Sequence, residues 1–243
     1  MEPRFDVRTP RGRLWRDLTT RLEIRLLATW VAIACALAGF AGLAAEAREG
    51  DIGAVDRMIL LMFRDPGALG TPIGPRWLQE SARDITALGG FTVLALVTVF
   101  AGVALVLNRR RRQAWVLIGA VVFAQAVAEA VKHLIDRPRP ALVPHLDMVY
   151  SSSFPSGHAM MSPVVYLTLA AVVSSGLEPP GVRSLRMAAA TLLVVAIGVS
   201  RVYLGVHWPT DVLGGWILGS AIAMAASCTA WRADRRGIGD HQV

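Results

Sequence analysis

The chain has 243 residues, 54% of them hydrophobic, and a mean hydropathy of +0.48, which excludes an ordinary soluble domain. Its formal charge of +7 would suit nucleic acid, but most basic residues flank apolar runs, where they set membrane orientation instead. Cys35 and Cys228 both fall inside apolar runs without metal-ligand spacing, which leaves neither a disulfide framework nor a zinc site.

Residues 1–25 carry Arg4, Arg8, Arg11, Arg13, Arg16, Arg21 and Arg25, and Leu14, Trp15, Leu18 and Leu22 recur at helical spacing. That pattern predicts a short amphipathic helix lying on the cytoplasmic membrane surface. Leu26 to Ala45 is the first expected span. Ala45-Glu46-Ala47 resembles a signal-peptidase site, but the apolar run before it exceeds a signal core, so the segment reads as an anchor. Residues 46–86, broken by Pro66, Pro72 and Pro75, form a non-cytoplasmic interfacial segment with short helices expected over 56–63 and 76–84. The segment is either a plain connector or a flap that helps admit an amphiphile.

Ala87 to Leu107 is the second span, closed by the arginines from Arg109 to Arg112. The third runs from Ala114 to about Leu134, where Pro138 and Pro140 prevent the helix from continuing. The fourth is expected over Ser156 to Ser175, the fifth over Met187 to Val206 and the sixth over Pro209 to Ala230. An arginine-bearing tail, 231–243, follows. The expected fold is therefore all-α, with six transmembrane helices in one bundle over residues 26–230. Arginines concentrate on the side that holds both ends of the chain, which places both termini in the cytoplasm.

Three polar clusters interrupt the apolar pattern. The first is Lys132-His-Leu-Ile-Asp-Arg-Pro-Arg139-Pro140, the second Pro155-Ser156-Gly157-His158, and the third Ser200-Arg201 with His207 and Asp211. Charged groups at membrane depth cost about 2.5–3.5 kcal/mol each on insertion scales, so several kept together mark a site. Two crossings of about 20 residues fit between His158 and His207, so all three clusters reach the non-cytoplasmic face. Histidines, an aspartate and cations without thiolates point to anion chemistry more than to metal binding.

Ser156-Gly157-His158 opens a helix directly after Pro155, and a helix N-terminus presents unpaired N–H groups and a positive dipole end to a phosphate. Ser156 adds a hydroxyl, and Gly157 allows close backbone approach. Lys132, Arg139 and Arg201 supply cations, with arginine matching phosphate bidentately. His207 and Asp211 lie four apart at the start of the sixth span. A carboxylate on one ring nitrogen would leave the other as nucleophile or base; otherwise Asp211 simply caps the helix. His158 brings a second imidazole to the same anion site.

The clusters, Lys-x6-Arg-Pro, Pro-Ser-Gly-His and Ser-Arg-x5-His-x3-Asp, resemble the three motifs of the type 2 phosphatidic acid phosphatase superfamily. Every defining position is present and in order across residues 132–211. The resemblance implies His207 as the nucleophile that forms a phosphohistidine, Asp211 as its partner, and His158 as the acid for the departing alkoxide. It implies Lys132, Arg139, Ser156, Gly157, Ser200 and Arg201 as ligands of the phosphoryl oxygens, with no metal and no cofactor. Glu129, His133, Asp136, Arg137 and His145 lie outside the pattern. Glu129 either orients Lys132 from one helical turn away or only compensates its charge.

The implied function is metal-independent hydrolysis of a lipid phosphate or diphosphate on the extracytoplasmic side of a bacterial inner membrane. Phosphatidate, phosphatidylglycerophosphate, polyprenyl diphosphate and a lipid A phosphate all fit, and Arg137, His133 and His145 near the site would favour a diphosphate. No nucleic-acid partner is expected. A lipid phosphotransferase would share the phosphohistidine. A vanadate-dependent haloperoxidase uses a similar constellation, but its members are soluble. From a different class, a transporter or channel could hold a polar site, although here the charges gather at one face and no span is visibly broken near its middle.

Overall fold

The computed structural model describes the backbone of residues 10–49, 53–149, 151–173 and 178–239, with side chains described at residue 24 and within 26–231. Eight helices are seen among the described residues: α1 (Pro10–Glu49), α2 (Ala54–Met62), α3 (Arg76–Ala87), α4 (Phe91–Leu107), α5 (Arg111–Ile135), α6 (Gly157–Val172), α7 (Pro180–Tyr203) and α8 (Pro209–Gly239). Between α2 and α3 lies an antiparallel hairpin of β1 (Arg64–Asp65) and β2 (Ala68–Pro72), which departs from the all-α expectation. Its turn is closed by Asp65 Oδ1 accepting the Gly67 N–H at 2.8 Å.

Four helices are long and apolar enough to cross a membrane: the Leu26–Glu49 part of α1, α5, α7 and the Pro209–Trp231 part of α8. The expected second span is α4 and the interfacial helix expected over 76–84 is α3; they are bent by 47° where they meet, and only together are they long and apolar enough to cross. The expected fourth span, α6, has 16 residues and at 1.5 Å per residue reaches about 24 Å, short of a hydrocarbon core of about 30 Å. The bundle thus holds four, or with the bent pair five, membrane-capable helices among the described residues, where hydropathy alone counts six.

The expected surface helix over 1–25 is not a separate element. No proline follows Pro10 before Pro66, and α1 runs unbroken from Pro10 into the first span. Residues 1–9 and the side chains of Leu14, Trp15, Leu18 and Leu22 lie outside the described residues. At the other end α8 continues through the start of the expected tail to Gly239, and residues 240–243 lie outside the described residues, as does the expected end of the fourth span near Ser175.

Helix α6 is apolar all round and sits at the centre, against α4, α5, α7 and α8, the place such a helix must occupy. Its Met160, Met161, Val164 and Val165 pack with Leu94, Ala124, Ala128 and Leu218. The approach of α8 depends on absent side chains. A Cβ at Gly219 would overlap the Met160 carbonyl oxygen, and one at Gly215 would stand 2.9 Å from that of Ser156. This contact brings the first turns of α6 and α8 together, where the Ser156 N–H donates to the Asp211 carbonyl at 3.1 Å. By contrast, α1 lies along α8 with only 6% of its apolar window buried.

Candidate active site

His207 lies in the short loop between α7 and α8 and is 2% exposed. Arg139 Nη1 stands 3.1 Å from its Nε2. A guanidinium can only donate, so Nε2 carries the lone pair and the ring proton sits on Nδ1. Nδ1 faces Asp211 Oδ2 at 3.5 Å, longer than a well-formed hydrogen bond, and has no other partner. Burial pulls the His207 pKa down to about 4, against the raising influence of Asp211 and with repulsion from Arg139 and Arg201. The imidazole is accordingly neutral near pH 7, the form that can attack phosphorus.

Asp211 caps α8 and faces the His207 ring without a well-formed hydrogen bond to it. Its Oδ2 accepts the Trp208 N–H at 2.8 Å, closing the first turn of α8 as an acidic third residue does in a capping box. The same oxygen accepts the Ser153 hydroxyl and faces His207. Its Oδ1 accepts Arg137 Nη1 at 2.7 Å.

The cations meet on the loop that leads into α6. Lys132, in the last turn of α5, donates to Ser151 Oγ at 2.8 Å. A Cβ at Gly157 would lie 3.9 Å from its ammonium nitrogen, so the start of α6 and Lys132 border one space. Arg139 donates from Nε to the Ser151 carbonyl and from Nη1 to the Val206 carbonyl, each at 2.7 Å. Burial first, then the nearby Arg201, lowers the Arg139 pKa to about 10. Arg201 is 2% exposed and donates from Nη1 to Thr86 Oγ1 at 3.0 Å and to Asp147 Oδ2 at 2.5 Å. Burial raises the Asp147 carboxyl, but the bond to Arg201 outweighs it and holds the pKa below its ordinary value.

Ser156 is the N-cap of α6, its Oγ 3.5 Å from the Ala159 N–H. His158 packs against the turn between α3 and α4: a Cβ at Gly90 would stand 3.7 Å from its Nε2. Arg201, His207, Asp147 and Lys132 all act on it electrostatically. Ser200 is buried, and its hydroxyl donates to the Ile197 carbonyl at 2.6 Å, within its own helix. The structure thus gathers Lys132, Arg139, Gly157, His158, Arg201, His207 and Asp211, with the buried Ser156 capping the helix that carries Gly157 and His158, while the Ser200 side chain is engaged elsewhere. Three cations and a helix N-terminus around a neutral imidazole can hold phosphoryl oxygens and present a nucleophile to the phosphorus.

Several functional neighbours escape the motif spacing. Arg137, expected to favour a second phosphate, is 3% exposed and forks between Asp211 and Asp56 at 2.7 and 2.9 Å. Its guanidinium is committed inside the protein, which removes that reason for a diphosphate. His145 Nε2 lies 2.8 Å from the Pro140 carbonyl. Glu129 accepts from Gln125 at 3.0 Å while the Lys132 ammonium turns to Ser151, which leaves Glu129 as charge compensation. Asp56 had a visible signal: it shares a face of α2 with Leu60, an acid on an otherwise apolar stripe. Asp147, Ser151 and Ser153 had none, because loop residues acquire partners only in three dimensions. Among the described residues, no three or more His, Cys, Asp or Glu side chains gather as metal ligands would.

The profile of the PAP2 superfamily matches residues 113–235. Phosphatidylglycerophosphatase B of Bacillus subtilis is 35% identical over 147 residues, covering 59% of this chain and 70% of that protein. Decaprenylphosphoryl-5-phosphoribose phosphatase of Mycobacterium tuberculosis is 31% identical over 184 residues, 74% of this chain and 90% of that one. The crystal structure of a transmembrane PAP2-type phosphatidylglycerolphosphate phosphatase from Bacillus subtilis superposes with a TM-score of 0.70 at 28% identity, over 82% of this chain and 96% of that chain. Matched by profile over half its length, and by a phosphatase over nine-tenths of that relative, this integral membrane chain is a phosphatase that belongs to the PAP2 superfamily.

Proposed function

We propose that the protein hydrolyses a phosphomonoester carried on the headgroup of a membrane lipid, through a phosphohistidine on His207, at the extracytoplasmic face. The observation that carries this reading is the 3.1 Å contact between Arg139 and His207 Nε2. A substrate phosphate that takes over the Arg139 N–H as acceptor leaves the Nε2 lone pair free to attack. Lys132, Arg139, Arg201 and the N–H groups at the start of α6 hold the non-bridging oxygens. The N–P bond forms as the P–O bond to the lipid breaks, and His158 protonates the departing alkoxide. His158 then takes a proton from water, whose oxygen attacks phosphorus, releasing inorganic phosphate and restoring His207. Asp211 stabilises the ring cation of the phosphohistidine.

A monophosphate is favoured over a diphosphate because Arg137 is already engaged by two carboxylates. Two of the relatives support a polyol headgroup, since one is named for phosphatidylglycerophosphate and another for a phosphoribose lipid. A six-crossing topology with both termini in the cytoplasm, with α6 and the α3–α4 pair each counted as one crossing, keeps the arginines inside.

Phosphate release by purified protein in detergent, from a panel of lipid phosphates without an added acceptor, tests the reading. Release from glycerol- or sugar-phosphate lipids is expected to persist in EDTA. Transfer to a second lipid with no free phosphate would identify a phosphotransferase. Activity lost in EDTA and restored by magnesium or zinc would overturn the metal-independent chemistry.

A further inference from the structure

We infer that Arg137 and Asp56 are positioning residues for His207, acting through Asp211, so that α2 completes the catalytic apparatus. The inference rests on the phosphohistidine reading above. Arg137 Nη1 donates to Asp211 Oδ1 at 2.7 Å and to Thr210 Oγ1 at 2.8 Å, while Nη2 donates to Asp56 Oδ2 at 2.9 Å. Asp56 accepts the Thr210 N–H on its other oxygen at 2.8 Å and the Thr210 hydroxyl on Oδ2 at 2.6 Å. Asp56, Arg137 and Asp211 are each 3% exposed or less. The guanidinium lies 5.8 Å from the centre of the Trp208 ring, within cation–π range. The Arg137 carbonyl accepts the Ser153 N–H at 2.8 Å, and the Ser153 hydroxyl closes the loop on Asp211.

Burying three charges is poor economy for stability alone, because desolvation can exceed the Coulombic gain. Their arrangement makes chemical sense instead. One guanidinium serves two carboxylates, so Asp211 is held in place yet only partly neutralised. The set carries one net negative charge, directly behind His207 Nδ1. When Nε2 bonds to phosphorus the ring becomes cationic, and that residual charge stabilises it. Asp56 therefore does more than cap α8. By drawing on Arg137 it preserves the charge that Asp211 presents to the nucleophile, and a carboxylate shifted by a fraction of an ångström would misplace Nε2.

The test uses the full-length protein in detergent, with Asp56→Asn and Arg137→Lys assayed by rapid quench with a lipid substrate labelled at its phosphate. Arg137→Lys keeps the charge, but one ammonium cannot serve both carboxylates in fork geometry, and it provides the measurement should Asp56→Asn not fold. The acid-labile phosphoenzyme is expected to form at least about tenfold more slowly, the scale of loss from sub-ångström misplacement of reacting groups. Competitive inhibition by inorganic phosphate, which the cradle can hold without a bond to Nε2, should stay at the wild-type level. Phosphoenzyme formation at the wild-type rate would overturn the inference. So would parallel loss of rate and phosphate inhibition, which marks a merely structural role. A wild-type enzyme that hydrolyses lipid phosphate with no phosphohistidine would fail the underlying reading and take this inference with it.

Discussion

His207 and His158 lie near enough to act on each other electrostatically, and the proposed chemistry assigns their loss different consequences. Replacing His207 by alanine removes the covalent route for every substrate. His158 matters only as far as the leaving oxygen needs a proton, and a lipid alkoxide needs one badly. His158→Ala should therefore lose roughly 10²–10⁴-fold on a lipid phosphate, the usual range for acid catalysis, and recover much of that on p-nitrophenyl phosphate. His207→Ala should stay inactive on both, and rescue of that variant alone would mean the roles are exchanged. The depressed pKa of His207, about 4 against the ordinary 6.5, also has a stability consequence. Between those values the unfolded chain binds a proton that the folded chain refuses. The contribution from His207 is then complete above about pH 6.5 and lost as the pH falls towards about 4. The wild-type melting temperature minus that of His207→Gln should decline across that window; a flat difference would place the folded pKa at its ordinary value.

At the scale of elements, the ends of helices were legible wherever a local signal marks them. Pro138 and Pro140 stop α5, Ser156 caps α6 and Pro209 opens α8, each within a residue or two of its expected place. The break between α3 and α4 was legible, as the gap between the helix expected over 76–84 and the span expected from Ala87, but its 47° bend was not. The turn there packs against His158, a partner from another helix. The fork from Arg137 to Asp56 was hidden for the same reason: it joins residues 81 positions apart, and no periodicity connects them. What juxtaposes the motifs is the close contact of α6 with α8, which turns a packing detail into a functional one. Gly219→Ala places a methyl group on the Met160 carbonyl. Overpacking of this kind costs about 1–3 kcal/mol, and the helices can relieve it only by separating. Thermal unfolding in detergent should show lower stability, and the lipid phosphatase kcat should fall with it. Gly119→Ala, whose Cβ would meet nothing within 4 Å, should leave both unchanged. Equal behaviour of the two variants would mean that helix approach does not set the site.

For the whole molecule, the proposed orientation in the bilayer rests on the arginine distribution and the location of the site. Arg109 and Arg110 lie in the turn between α4 and α5, and Arg111 and Arg112 open α5, on the side of the bundle opposite the clusters. Lys132, Arg139, His158 and His207 lie at the other ends of α5, α6 and α7. In the proposed topology, with arginines retained inside, these ends face outward, where a phosphate at headgroup level would meet the cradle without crossing the hydrocarbon. Impermeant maleimide labelling in intact spheroplasts tests this, provided the reporter positions are accessible. Val143 looks suitable in sequence but is 6% exposed and packs with Leu60 and Trp208, and Gln113 is equally buried. Met148 is 76% exposed beside the site, and Asn108 is exposed at the opposite end of α4. In a background with Cys35→Ser and Cys228→Ser, Met148→Cys should label in intact spheroplasts. Asn108→Cys should label only after the membrane is permeabilised. The reverse pattern would turn the molecule over, placing the phosphate cradle in the cytoplasm and ruling out an extracytoplasmic lipid phosphate as substrate.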